Sequence, residues 1–234
     1  MGNLFNTYIY NPLFHVLVFI YQNLSFHDLG IAIILLTIFV RLVLLPLFYK
    51  GAKDQAIMQK IAPKLREIQL KHKNDKEKLV QATMELYKEH KVSPFSSFLL
   101  ILIQFPILIA LIKLVRSINM IPNVNPIFLG IVDLTQKNFI LVILAAVIQY
   151  FSSKLLIPKS NKSFKNLSPQ EKMSRQMVLF SPLLTILVLW FWPAAAALYW
   201  LTFSVFSVIQ QIIINKRLNI NEEIKEEEKH LDKH

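Results

Sequence analysis

From Gln176 to Asn215 the chain carries no charged side chain for 40 residues. As a continuous α-helix that run would extend roughly 60 Å, about two hydrocarbon cores of a bilayer. Two helices joined by a tight turn accommodate it, and Pro193 near the middle supplies the break. Trp190, Trp192, Tyr199 and Trp200 surround that proline, a cluster that fits an aromatic belt at a membrane surface. The whole chain is 54% apolar with a mean hydropathy of +0.43, which is unusual for a water-soluble fold.

The same ruler, applied along the chain, predicts an all-α membrane protein with five transmembrane helices. Residues 1–28 form an extracytoplasmic N-terminus, and the first span covers 29–49. Residues 50–91 form a cytoplasmic helical hairpin, the second span covers 92–112, and 113–137 is an extracytoplasmic loop. The third span, 138–153, is short at 16 uncharged residues, roughly 24 Å, so its flanking lysines must snorkel or the bilayer must thin. A cytoplasmic loop follows at 154–175, then the fourth and fifth spans at 176–215 with their outer turn at Pro193, then a cytoplasmic tail at 216–234. Six acidic and five basic residues crowd that tail, and its expected state is frayed.

Lysine and arginine total 26 against 15 acidic residues, a balance that fits nucleic acid, anionic lipid or cytoplasmic loops. Location decides among these. Eleven basic residues fall in Lys50–Lys91, six in Lys154–Arg175 and five from Lys216 onward, against three in the loops of opposite sidedness. The N-terminus is therefore expected outside and the C-terminus in the cytoplasm, as an odd number of spans requires; DNA is not an expected partner. Within the N-terminal segment, Tyr8–Leu24 is too short and polar for a comfortable span. Asn11, His15 and Gln22 share one helical face, so it reads as an amphipathic interfacial helix, with a sixth span as the alternative.

Several chemistries are excluded by composition. With no cysteine there are no disulfides, thiolate nucleophiles or sulfur-ligated zinc. The four glycines, at 2, 30, 51 and 130, build neither a phosphate-cradling loop nor a dinucleotide fingerprint. The six histidines form no H-E-x-x-H pattern, so an intramembrane metalloprotease is not expected. No metal or other cofactor is called for. Thr37, Thr185, Thr202, Ser204 and Ser207 lie in spans without an adjacent base and read as helix-packing residues. No enzymatic activity is expected.

Arg41 is the only ionisable side chain inside an expected span. At bilayer centre an arginine costs about 2.5–3.5 kcal/mol on insertion scales, and the spans hold no acidic residue to neutralise it. Snorkelling to the cytoplasm would require roughly 13 Å along the helix axis, which favours a hydrated cavity opening inward. The alternative is a charge pinned to carbonyls that Pro46 leaves without a donor. Gln104, Gln149, Gln210 and Gln211 are amides that lipid would penalise, and they are expected to share a polar inner-leaflet groove.

These motifs resemble the YidC/Oxa/Alb insertase family over nearly the whole chain, Asn11 to Lys216. FVRLVLLPLFYK (Phe39–Lys50) is similar to the family's first core span, an arginine followed by a proline. IAPKLREIQLKHKNDKEKL and ELYKEHKVSPF resemble its cytoplasmic hairpin, LIQFPI (Leu102–Ile107) its Gln-x-Pro-Ile element, and FWPAAAALYW with VIQQ its last two spans. Departures are Ser93 in place of a common Asn, Ala195 in place of Gly, and Leu111 or Ile112 in place of a frequent Tyr.

The resemblance implies an insertase of the bacterial inner membrane whose substrate groove is Arg41, Thr37, Gln104, Gln149, Trp200 and Gln210. Arg41 would attract acidic or polar external segments of nascent membrane proteins while the hydrophobic segment slides into the lipid bilayer. The resemblance admits the ribosome, through the hairpin, and a Sec translocon as further partners. The competing readings are a small anion transporter or channel in which Arg41 binds the anion, and a purely structural assembly subunit. The inverted repeats and intramembrane carboxylates of a transporter are absent from the sequence.

Overall fold

A computed structural model describes residues 2–93, 102, 105–113, 124–155 and 169–231, with side chains described except at 2, 3, 59, 169–171, 173, 174 and 218–231. The N-terminal segment is helical from α1 (Gly2–Phe5) through a π-helical turn (Asn6–Tyr10) into α2 (Asn11–Asn23). Leu17, Ile20 and Tyr21 of α2 are buried while Asn11, His15 and Gln22 face outward, so the expected amphipathic split is present. Leu24, just past the helix end, is exposed.

Asp28 starts α3 (Leu29–Val43): its carboxylate accepts the Ile31 N–H at 3.0 Å, satisfying one of the helix's free N-terminal donors. The helix expected over 29–49 is not continuous. Pro46 has no N–H, and the backbone breaks at Leu44 (φ −90, ψ 6) before resuming as α4 (Leu45–Lys71), with Pro46 tolerated in the first turn. The two helices meet at 72°. Arg41 consequently sits in the last turn of α3, beside a bend rather than in mid-helix.

α4 packs on α5 (Lys76–Glu89) through Ile61, Leu86 and Val92, with Ile57, Met58, Leu65, Ile68 and Tyr87 around them. Met84 of α5 is exposed. Asp75 caps α5 by accepting the Lys78 N–H at 3.0 Å and pairs with the Lys78 ammonium at 3.1 Å. The backbone bond, then the side chain, holds its carboxyl below the usual carboxylate range. That cap therefore stabilises α5 above the carboxyl's unfolded value and is lost as pH falls through the lowered one.

Residues 105–113 are helical (α6). Much of the expected second span, residues 94–101, 103 and 104, lies outside the described residues. A two-stranded antiparallel pair, β1 (Ile127–Phe128) and β2 (Val132–Asp133), follows. Then come α7 (Phe139–Leu155), α8 (Pro169–Leu189) and α9 (Ala194–Leu231). The segment Ala194–Arg217 is long and apolar enough to cross a bilayer, the bent α3–α4 pair qualifies as one broken span, and α7 and the Arg175–Leu189 part of α8 are shorter apolar helices. The tail expected to fray continues α9 to Leu231.

α9 is the central helix. It packs most extensively on α7 and next on α3, while α8 packs on α7 and α2 on α3. Its first turn, Ala194–Ala197, is almost entirely buried, because alanines let neighbouring backbones come close. Its free N-terminal donors are met by the preceding loop: Ala194 donates to the Gln136 carbonyl at 2.6 Å and Ala195 to that of Leu134 at 3.1 Å. Outward, Ile140, Ile143, Leu144 and Phe151 of α7 and Leu179, Phe180, Leu183 and Leu187 of α8 are exposed. Contiguous apolar faces of that kind belong against lipid or a hydrophobic partner.

The β-turn joins α3 to this loop. The second oxygen of Asp28 accepts the Leu129 N–H at 2.7 Å, and the Phe128 ring lies directly on Gly30. A methyl group on Gly30 would overlap the Phe128 ring, side-chain base included. Gly30→Ala should therefore lower stability by about 1–3 kcal/mol through overpacking. The check is thermal unfolding in detergent micelles, where Phe128→Ala in the same chain should relieve the clash and recover part of the loss.

Candidate functional site

Burial places a full charge inside an apolar helix junction. The Arg41 side chain is 3% exposed, enclosed where α3 ends, α4 begins and α9 passes. Its guanidinium carbon lies 4.2 Å from the Phe203 ring centroid, 4.3 Å from that of Phe48 and 4.9 Å from that of Phe206, all within the range of cation–π attraction. Nη2 donates to the Ser207 hydroxyl at 2.6 Å. Ser207 in turn donates to the Phe203 carbonyl at 2.9 Å, which commits its proton and leaves its lone pairs for the arginine. Arg41 Nε is buried without a hydrogen-bond partner among the described residues.

Among the described residues, two buried polar atoms of α9 also lack partners, Trp200 Nε1 and Gln210 Oε1. Trp200 and Ser207 are seven residues apart and so share a helix face, and Gln210 is one turn beyond Ser207. Trp200 and Gln210 are ten residues apart, roughly 15 Å along α9, and Ser207, which holds Arg41, lies between them. Buried polar atoms are ordinarily satisfied, so the open Nε of Arg41 and these two atoms of α9 are candidates for completion by a ligand or water.

The remaining candidates are placed differently. Thr37, one turn before Arg41, is buried, and its hydroxyl donates to the Ile33 carbonyl at 2.6 Å; it lines an apolar crevice with Leu13, Leu36, Val40, Ile107, Leu111 and Tyr199. Gln149 accepts from Ser204 at 3.2 Å, tying α7 to α9 one turn from Ser207. Gln211 donates to Asn215 at 2.9 Å, and Asn215 donates to the Leu155 carbonyl at 3.0 Å, closing the end of α7. Gln104 lies outside the described residues. Ser204, Ser207, Gln211 and Asn215 thus form a polar stripe that fastens α9 to α3 and α7. Sequence reasoning treated the serines as packing residues and did not single out Phe48, Phe203 or Phe206. For Phe203 a signal existed: it lies three residues after Trp200 and four before Ser207, on one helix face.

The pattern defines a helical membrane protein in which Arg41, at the end of α3, is enclosed against the central helix α9. The model for the family described as the 60Kd inner membrane protein matches residues 19–223. The chain is 38% identical over 192 residues to the membrane protein insertase YidC of Oceanobacillus iheyensis, covering 80% of this chain and 74% of that one. It is 35% identical over 213 residues to the membrane protein insertase YidC of Fusobacterium nucleatum, covering 90% of this chain and 98% of that one. A crystal structure of active YidC insertase with its first transmembrane domain resolved superposes with a TM-score of 0.60 at 26% identity, and the match spans 86% of this chain and 46% of that one. The chain belongs to the YidC family of inner membrane proteins.

Ser207→Ala should remove the hydrogen bond to Nη2 and leave the charge held by rings alone, at a cost of about 1.5–3 kcal/mol for a bond to an ionised donor. Thermal unfolding in detergent should show that drop for Ser207→Ala and much less of it for Ser207→Thr, which keeps the hydroxyl.

Proposed function

We propose that this chain is a membrane protein insertase that moves hydrophobic segments of nascent membrane proteins into the bilayer, with Arg41 as its electrostatic centre. Relatives that carry the name insertase over most of their length support the activity. The observation that carries the site is the buried guanidinium, incompletely bonded among the described residues, packed on the helix that also carries the open Trp200 Nε1 and Gln210 Oε1. A client's polar external segment would complete these atoms: its carboxylates and carbonyls accept from Arg41 and Trp200, and a main-chain N–H donates to Gln210. Crossing is slow because polar groups pay desolvation in lipid, and a ladder of partners part-way across lowers that cost. The apolar client helix would leave along the exposed apolar face of α8. No covalent step is involved.

In this reading the groove set is Arg41, Thr37, Gln104, Gln149, Trp200 and Gln210, with Thr37 and Gln149 acting through helix placement. The chain crosses the membrane five times, N-terminus outside, its first crossing being the broken α3–α4 pair. Residues 50–91 form a cytoplasmic hairpin that meets the ribosome, and a Sec translocon is a further partner. An anion transporter would need Arg41 facing an aqueous anion site, whereas here three phenyl rings enclose it.

Insertion of single-span clients into vesicles tests the role of the charge. Arg41→Lys should retain substantial activity, whereas Arg41→Ala and Arg41→Glu should slow clients with acidic external segments by about tenfold or more, the loss of one charge pair in a weakly screened site. Clients without acidic residues should depend on Arg41 much less. Equal rates for the native chain and Arg41→Ala on an acidic client would remove this role.

A further inference from the structure

We propose that Phe48, Phe203 and Phe206 form a gate that stores the Arg41 guanidinium in a closed box, opened by movement of α4 about the break at Leu44. This deepens the reading of Arg41 as the insertase centre and rests on it for its consequence, though not for its test. The three rings come from two elements. Phe48 lies in the first turns of α4, just past the 72° bend, while Phe203 and Phe206 lie on α9 with Ser207. Phe48 and Phe203 meet edge to face at 5.8 Å, so the box is closed on the α4 side by a contact between the two helices. Phe48 is buried, whereas Phe206 is half-buried and the most distant of the three rings.

A π face attracts a cation but carries no net charge, so the rings shield Arg41 without neutralising it. Only one hydrogen bond, to Ser207, is present on the guanidinium among the described residues, and Nε has none. A carboxylate offers both charge and a two-pronged geometry that the rings lack. The closed box lowers the affinity of every anion by the same factor, because only the open fraction binds. Small, weakly held anions then stay out of the membrane interior, while a segment bearing carboxylates still opens the box. Because Phe48 rides on α4, a swing of that helix withdraws one wall and leaves Ser207 and Phe203 in place. α4 also carries the contact with α5, so whatever engages those two helices acts on the box.

The chain has no cysteine, which permits a direct test in the full-length protein in lipid vesicles. Ser207→Cys places one thiol beside the guanidinium, and its modification is timed with an anionic sulfonatoethyl methanethiosulfonate and with the cationic trimethylammonioethyl analogue. Adding Phe48→Leu, or separately Phe206→Leu, should speed the anionic reagent about tenfold, as expected for loss of a desolvated cation–π contact, and the cationic reagent far less. Unchanged anionic rates in both backgrounds would overturn the gate. Equal acceleration of both reagents would also overturn it, since the rings would then only fill space. Selective anionic acceleration with no change in insertion of an acidic client by Phe206→Leu would uphold the gate and count against Arg41 as the insertase centre.

Discussion

A guanidinium enclosed in an apolar helix junction constrains everything around it. Left in lipid without partners it would cost several kcal/mol, and the spans provide no carboxylate to offset that. The fold answers with one oriented hydroxyl and three phenyl faces, which is enough to hold the charge and not enough to saturate it. The arrangement needs α3, α4 and α9 at one point: Arg41 from the first, Phe48 from the second, and Phe203, Phe206 and Ser207 from the third. The break at Leu44 is what brings α4 back over the end of α3, so Pro46 belongs to the site as much as to the backbone.

α9 connects that junction to the rest of the molecule. At its start the loop carbonyls of Leu134 and Gln136 and the buried alanines 194–197 lock it to the preceding β-turn segment, which Asp28 and Gly30 tie to α3. Further along, Ser204 and Asn215 bind it to α7. The polar residues of this helix thus fall into two kinds: those whose bonds are complete and which hold helices together, and those at Trp200 and Gln210 whose buried atoms are left open. The first kind makes the second precise, because orphaned groups hold a useful position only on a rigid track.

Charge-free run lengths made most of α7 and the Ala194–Asn215 part of α9 legible, since a charge inside an apolar span is costly, and the caps at Asp28 and Asp75 lie where short acceptor side chains precede helical segments. The bend at Leu44 was not legible. Pro46 announces a missing donor, but whether a helix kinks around it or stops and restarts depends on what packs against the new segment. The continuation of α9 to Leu231 was missed for a different reason. A mixed-charge tail without an apolar face reads as unfolded, yet it contains neither Gly nor Pro and is rich in Glu, Lys and Ile, most of which carry a helix onward once it is nucleated. Within the site, Arg41 stood out because charge in a span is rare. Its aromatic walls did not, because phenylalanine in a span looks the same facing lipid or facing a cation.

The central claim, that this chain by itself lowers the barrier to membrane insertion, is tested most directly by reconstitution. Liposomes containing only this protein are given a freshly synthesised single-span client with an acidic external segment, and protection of that segment from added protease is followed in time. The account predicts protected, membrane-spanning client at a rate well above that of protein-free liposomes, and a return toward the protein-free rate when Arg41→Ala replaces the native chain. Equal protection with and without the protein would contradict it.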